Sequence, residues 1–191
     1  KDGKAKEQVL STSSKKIDGR SRVVTRFEQP AGVAGVAFLT LEGAAGEADD
    51  ISLYLPKLKR VRKVAKQERG RAFMDTDFSY SDIASNGSRD EDFVRAADEK
   101  AEGRDCFVIK GKGSEESPYG DVVMWVDKQF YVPMKVEYAD KDNKPLKRYR
   151  TLKLKTFKDR TVAAESLMEN VQNGSKTQMT VLSLNDAPVG D

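Results

Sequence analysis

Two aspartates stand two residues apart in Phe73-Met74-Asp75-Thr76-Asp77-Phe78, and a pair of carboxylates is the least equipment an acid–base hydrolase needs. In a loop flanked by Thr and Ser, carboxylates at that spacing more often accept hydrogen bonds from turns and helix caps. The chain has no histidine, so the usual general base near neutral pH and the commonest metal ligand are both missing. Cys106 is the single cysteine, which rules out an internal disulfide and any CxxC arrangement. Its setting, Asp105-Cys106-Phe107-Val108-Ile109, is strand-like, and a solitary cysteine there is expected as a small buried apolar residue. Asp140-Lys141-Asp142-Asn143 opens like a calcium loop but lacks that loop's Gly and terminal Glu, so a plain turn is expected. Together these residues point away from an enzyme and toward a chain with no metal and no cofactor.

Polyanion binding is the other chemistry on offer. Between Lys57 and Arg71, eight of fifteen residues are Lys or Arg and only Glu68 is acidic. No aromatic residue interleaves with these bases, as single-strand or base-stacking surfaces require. Residues Asp75 to Glu99 then carry eight acids against two bases. Local pairing with that acidic stretch is the first expectation for the run. Contact of Lys57, Lys59 and Lys63 with an anionic membrane or partner at a rim is the second, and nucleic acid the third. Globally the charge is nearly balanced, 34 basic against 31 acidic residues, a formal +3. A second basic stretch, Lys147 to Arg160, alternates as a strand, and its lysines are expected to guard a sheet edge.

The elements that must position these residues are mostly strands. Eleven segments of strand character are separated by Gly, Pro, Asn and Asp: Glu7–Lys15, Ser21–Glu28, Val33–Glu42, Ile51–Leu55, Leu58–Lys66, Asp105–Lys112, Asp121–Lys128, Phe130–Ala139, Pro145–Lys158, Thr161–Asn170 and Lys176–Leu184. Phe130, Val132, Met134, Val136 and Tyr138 alternate onto one face, whereas Val122 to Val126 are apolar on both, as in a central strand covered on each side. Turn residues at Asp140–Lys144 and Asn173-Gly174 predict hairpins. The helical part is small. Ser79 and Asp82 have capping-box spacing, as do Ser88 and Glu91, predicting a short turn near Ser81–Ser85 and a helix over Arg89–Glu102 that stops at Gly103. No apolar run reaches the roughly 20 residues of a membrane-spanning helix and no signal-peptide pattern is present. At 191 residues one domain is expected over 1–191. Its opening Asp2-Gly3 turn dipeptide has nothing before it to pair, which suggests a missing first strand.

In order along the chain, "LYLPKLKRVRKV", "AFMDTDFSYSDI", "VMWVDKQFYVPMKVEYADKDNKPLK" and "KTQMTVLSL" resemble the outer-membrane lipoprotein-sorting family, relatives of LolA and of RseB-type lipoprotein-sensing domains. The upstream F-x-x-P-x-x-x-x-G pattern, here Phe27, Pro30 and Gly35, is similar to that family's strand pair. The resemblance implies a mainly β fold: an antiparallel sheet of about eleven strands curled into an unclosed half-barrel with a short helical cover, here without the N-terminal helix and first strand. It implies a monomeric periplasmic carrier or sensor of lipids or lipoproteins, with acyl chains in the concave face and an inner-membrane transporter or outer-membrane acceptor as partner. The residues that would line that face are Phe38, Leu53, Leu55, Phe73, Phe78, Val123, Trp125, Met134 and Val136. A non-catalytic structural or adaptor module of an envelope assembly, with a filled core, is the alternative. Where the family pattern has Gly after Phe-Met, this chain has Asp75, so a left-handed turn is expected there with some strain.

Overall fold

The structure, a computed structural model, describes residues 5–44, 47, 49–84, 93–113 and 117–189. The Asp2-Gly3 turn and the Ser88/Glu91 capping box lie outside them. The chain divides into two compact units, one of residues 1–68 with 187–191 and the other of residues 69–186. Among the described residues there are two antiparallel sheets, of five and seven strands, and neither closes into a barrel.

The first unit holds β1 (Val9–Ile17), β2 (Arg20–Gln29), β3 (Ala37–Leu41), β4 (Asp50–Leu55) and β5 (Arg60–Lys63), paired in sequence order. Asp18 and Gly19, both left-handed (φ 52° and 76°), turn β1 into β2. The Phe27, Pro30, Gly35 pattern is a compact reversal. Phe27 N–H donates to Val36 O, Gly35 N–H to Phe27 O, and the amides of Val33 and Ala34 to Pro30 O. Cross-strand pairing places Thr25, Phe38 and Leu53 on one face with Thr40 and Ile51, all buried. Val24, Leu39, Ala37 and Tyr54 lie on the other face, half-buried.

The second unit holds the helix α1 (Tyr80–Ala84) and the meander β6 (Val94–Ala101), β7 (Arg104–Lys112), β8 (Asp121–Asp127), β9 (Pro133–Ala139), β10 (Pro145–Phe157), β11 (Arg160–Asn170) and β12 (Lys176–Thr180). The helix expected over Arg89–Glu102 is corrected here: its described part is coil at Phe93 and the edge strand β6. Glu102 and Gly103, at φ 48° and 77°, form a two-residue hairpin loop that folds β6 back onto β7. A register shift between Ala96 and Glu99 breaks the alternation that would have marked a strand. Gly103 is thus a turn glycine rather than a helix stop. Phe93 lays its ring over Gly111, where a Cβ would come within 2.7 Å of it. The expected hairpins at Asp140–Lys144 and Asn173-Gly174 form. Asp140 Oδ1 accepts from the Asp142 and Lys144 amides, closing the turn.

Asp127, only 2% exposed, organises the reversal between β8 and β9. Its carboxylate takes the Arg104 guanidinium and accepts from the amides of Gln129 (3.0 Å) and Phe130 (2.7 Å). Burial pushes its pKa up, but the bonds from Arg104 and the two amides outweigh burial and hold it below the ordinary value. A carboxyl depressed in the folded state stabilises fully above its unfolded pKa of roughly 3.9 and loses that contribution as pH falls through the folded value. Asp127→Asn is therefore expected to cost about 1 to 3 kcal/mol at pH 7. The penalty should shrink as pH falls below about 4 in urea melts.

Candidate functional site

The stretch Arg69–Ala84 is the most elaborately built part of the second unit. Phe73 N–H donates to Phe78 O (2.7 Å), and Ala72 pairs with Ser79, so the motif is a tight loop. Met74 and Asp75 are both left-handed (φ 48° and 64°), the conformation expected at the position where the resembling family has Gly. Thr76 donates through both its amide and its hydroxyl to Phe73 O, holding the turn. Phe73 and Phe78 point inward and are buried, and Phe73 meets Tyr80 edge-on at 5.4 Å. Asp77 does more than cap a turn. Its carboxylate accepts from the hydroxyls of Ser175 and Thr177, and its amide donates to Thr177 Oγ1 (2.8 Å), clamping the loop to β12.

Ser79 and Asp82 form the capping box their spacing predicts: Ser79 N–H donates to Asp82 Oδ2 (2.7 Å) and Asp82 N–H to Ser79 Oγ (3.1 Å). The box is the outer end of a buried network that the sequence did not signal. Tyr119 Oη donates to the Asp82 carboxylate, 2.8 and 2.9 Å from its oxygens, and accepts from Lys147 Nζ at 3.2 Å. The side chains of Lys147 and Asp82 are only 11% and 8% exposed and lie 3.6 Å apart. Burial first and the Asp82 charge second push the Tyr119 hydroxyl far above its ordinary pKa, so it stays a neutral donor. Nothing in "SPYGD" or "PLKRYR" marks Tyr119 or Lys147 as interior partners. The Ser79/Asp82 spacing was the only legible corner of the network.

The sheet around this network is apolar on both sides. Tyr119, Val122 and Val136 pack together on the face that meets α1, with half-buried Met124, Tyr138, Leu146 and Tyr149 against them. On the opposite face Cys106, Val108, Trp125 and Met134 pack together, with Val123 and Leu154. Met134 and Val136 thus part company. The register of β8 and β9 shifts between Trp125 and Val126, giving β9 an extra residue that turns Met134 to the Trp125 face. Trp125 is 8% exposed, donates from Nε1 to Glu99 (2.8 Å) and lies under Lys135 Nζ at 4.2 Å. Cys106 is fully buried, and desolvation raises its thiol pKa, as an inert core cysteine requires.

In the first unit, Phe38 and Leu53 are buried cross-strand partners, and Leu55 is half-buried where β4 ends. The strand expected over Leu58–Lys66 is shorter. Pro56–Leu58 form a 3-10 turn and Lys59 is left-handed, leaving only Arg60–Lys63 as β5. Arg62 pairs with Glu68 and Lys63 with Asp50, each at 2.7 Å, acids of their own neighbourhood rather than of Asp75–Glu99. Lys57 and Lys59 are exposed and have no such partner among the described residues. The lysines of β10 do guard an edge, but only over half the strand. β9 pairs with Pro145–Arg150, so Leu152–Phe157 has β11 on one side and no described strand on the other.

Comparison with known proteins gives these elements a lineage. A family profile described as "uncharacterized protein" matches residues 19–186. A solved structure described as an outer membrane lipoprotein-sorting protein domain, from Vibrio parahaemolyticus, is 31% identical. It has a TM-score of 0.88 over 96% of this chain and 80% of that one. The chain belongs to the outer-membrane lipoprotein-sorting family. Its LolA-like fold is also that of a DUF1329 family protein from Desulfovibrio piger (24% identity, TM-score 0.84, 97% and 83% of the two chains). A LolA superfamily protein from Nitrosomonas europaea shares the fold at 18% identity, with a TM-score of 0.62 over 93% and 84%. A search of curated proteins found no match. In the LolA-like chain the Phe73–Tyr80 loop is a structural joint, and its energetics should be ordered accordingly. Phe78→Ala leaves a cavity costing roughly 3 to 5 kcal/mol, whereas Asp77→Ala loses half-buried hydrogen bonds worth about 1 to 2 kcal/mol. Denaturant melts of the two variants check the order. Lys147→Ala strands the Asp82 carboxylate and should cost about 3 to 5 kcal/mol by the same measurement.

Proposed function

We propose that this LolA-like chain is a periplasmic carrier or sensor of lipids or lipoproteins that takes up acyl chains and serves an envelope transport system. The observation that carries this reading is the seven-stranded sheet's second apolar face. Apolar clusters pack on both faces of this sheet, and only the five-residue α1 is among the described helices of its unit. The face that meets α1 presents half-buried Met124, Tyr138, Leu146 and Tyr149 beside Val136, all without charge. Each methylene withdrawn from water there stabilises by about 0.8 kcal/mol, so an apolar surface suffices for acyl binding and no catalytic group is needed. The lipoprotein-sorting description of the Vibrio relative supports the same class of ligand.

Of the residues expected to line the site, Val136 lies on this face. Val123, Trp125 and Met134 lie on the other, where burial is deep. Deep burial of Trp125, Met134, Phe38 and Leu53 also supports the second reading, a filled non-catalytic adaptor.

Organic extraction of the purified protein followed by mass spectrometry separates the two. Co-purified phospholipid or acyl lipid is expected, and its absence from protein prepared from a lipid-rich envelope rejects the carrier. Met124→Glu should lower the recovered lipid more than tenfold, because it places a charge against the acyl chain. Trp125→Phe should leave recovery within a factor of about two, an inference from its burial on the opposite face. If Trp125→Phe abolishes recovery and Met124→Glu does not, the other face holds the lipid.

A further inference from the structure

The hairpin between β4 and β5 carries a feature that acyl binding does not use. Leu58 is 63% exposed and Val61 69%, among the most exposed large apolar side chains described. They alternate with Lys57, Lys59 and Arg60, which are exposed and have no ion pair among the described residues. The tip is braced: Lys59 N–H donates to Pro56 O (3.1 Å), and Pro56 packs on Gly35, where a Cβ would lie 3.5 Å from its Cγ. Lys59 takes the left-handed conformation (φ 49°), a residue type rarely placed there without cause. Two wet apolar side chains and three unpaired cations on a rigid tip contribute little to folding.

We infer that the Lys57–Val61 tip docks the protein on an anionic lipid bilayer, Leu58 and Val61 entering the headgroup region while Lys57, Lys59 and Arg60 meet lipid phosphates. Charge complementarity decides the occupant. Unpaired cations around apolar side chains match a surface that is anionic outside and apolar beneath, and each cation near such a surface strengthens binding severalfold. Lys63, paired with Asp50, is left out of the contact. The inference extends the carrier reading and rests on it only for its purpose, which is to bring an acyl-binding face to the membrane it loads from or delivers to.

Flotation of the whole chain with phosphatidylcholine vesicles, with and without phosphatidylglycerol, tests it. The parent should bind the anionic vesicles, lose binding at high salt and ignore the neutral ones. The triple variant Lys57→Gln, Lys59→Asn, Arg60→Gln should bind about a hundredfold more weakly, Asn being chosen because it tolerates the left-handed position. Leu58→Ser, which keeps every charge, should weaken binding roughly tenfold. A control with the same net charge, Lys16→Gln, Lys112→Gln, Lys155→Gln, should bind as the parent does. All these side chains are exposed, so melting temperatures should hardly move. The inference is overturned if the parent does not prefer anionic vesicles, if the control loses as much as the tip variant, or if Leu58→Ser binds like the parent. The last two results would mean diffuse charge or a protein partner instead. Lipid extraction reads the carrier function independently. Tip-dependent flotation without co-purified lipid sinks the carrier and keeps the docking; co-purified lipid with tip-independent flotation does the opposite.

Discussion

A strand that pairs with both of its sequence neighbours must reverse direction at each end, and the tightest hairpin loops favour left-handed backbone because its twist matches that of the flanking strands. All the pairings in the two sheets join strands adjacent in sequence. Many of these reversals fall on residues of positive φ: Asp18-Gly19, Gly35, Lys59, Glu102-Gly103, Tyr131, Asn143, Lys158 and Gly174. Register follows from them. Glu102-Gly103 fixes which residues of β7 pair with those of β6, and Asn143 does the same for β9 and β10. Once register is set, alternation decides which side chains are buried, so the apolar faces are a product of the turns as much as of the strands.

Buried polar groups then hold the irregular parts in place. Asp127 satisfies two amides and a guanidinium at one reversal. Asp82 satisfies an amide, a phenol and an ammonium at the foot of α1. Both carboxylates sit where the backbone leaves the sheet and would otherwise leave donors unanswered.

The sequence made the strands legible wherever alternation and turn residues agreed, as in β7 to β12, whose ends fall within a few residues of those expected. It misled at β6, where a bulge erased the period of two and an acidic, alanine-rich composition imitated a helix. It also misled at Met134 and Val136, because a one-residue register shift is invisible in a list of side chains and moves everything beyond it to the other face. The lipoprotein-sorting family showed in ordered motifs rather than in a reactive residue. Tyr119 and Lys147 stayed hidden because their meaning lies in long-range contacts. The basic run was legible in composition, but its division into paired Arg62 and Lys63 and unpaired Lys57, Lys59 and Arg60 required the backbone.

The clamp between Asp77 and the Ser175–Thr177 segment has a kinetic consequence. Nearly every other contact in the second unit joins residues a few tens of positions apart, so the meander can grow hairpin by hairpin at small entropic cost. Asp77 and Thr177 are separated by 100 positions, and closing that loop is favourable only after the intervening strands have shortened it. Docking of β12 on the Phe73–Tyr80 loop is thus the natural last event of assembly, leaving β12 the segment that opens first when the unit loosens. A last strand that detaches without unravelling the meander is a built-in point of give.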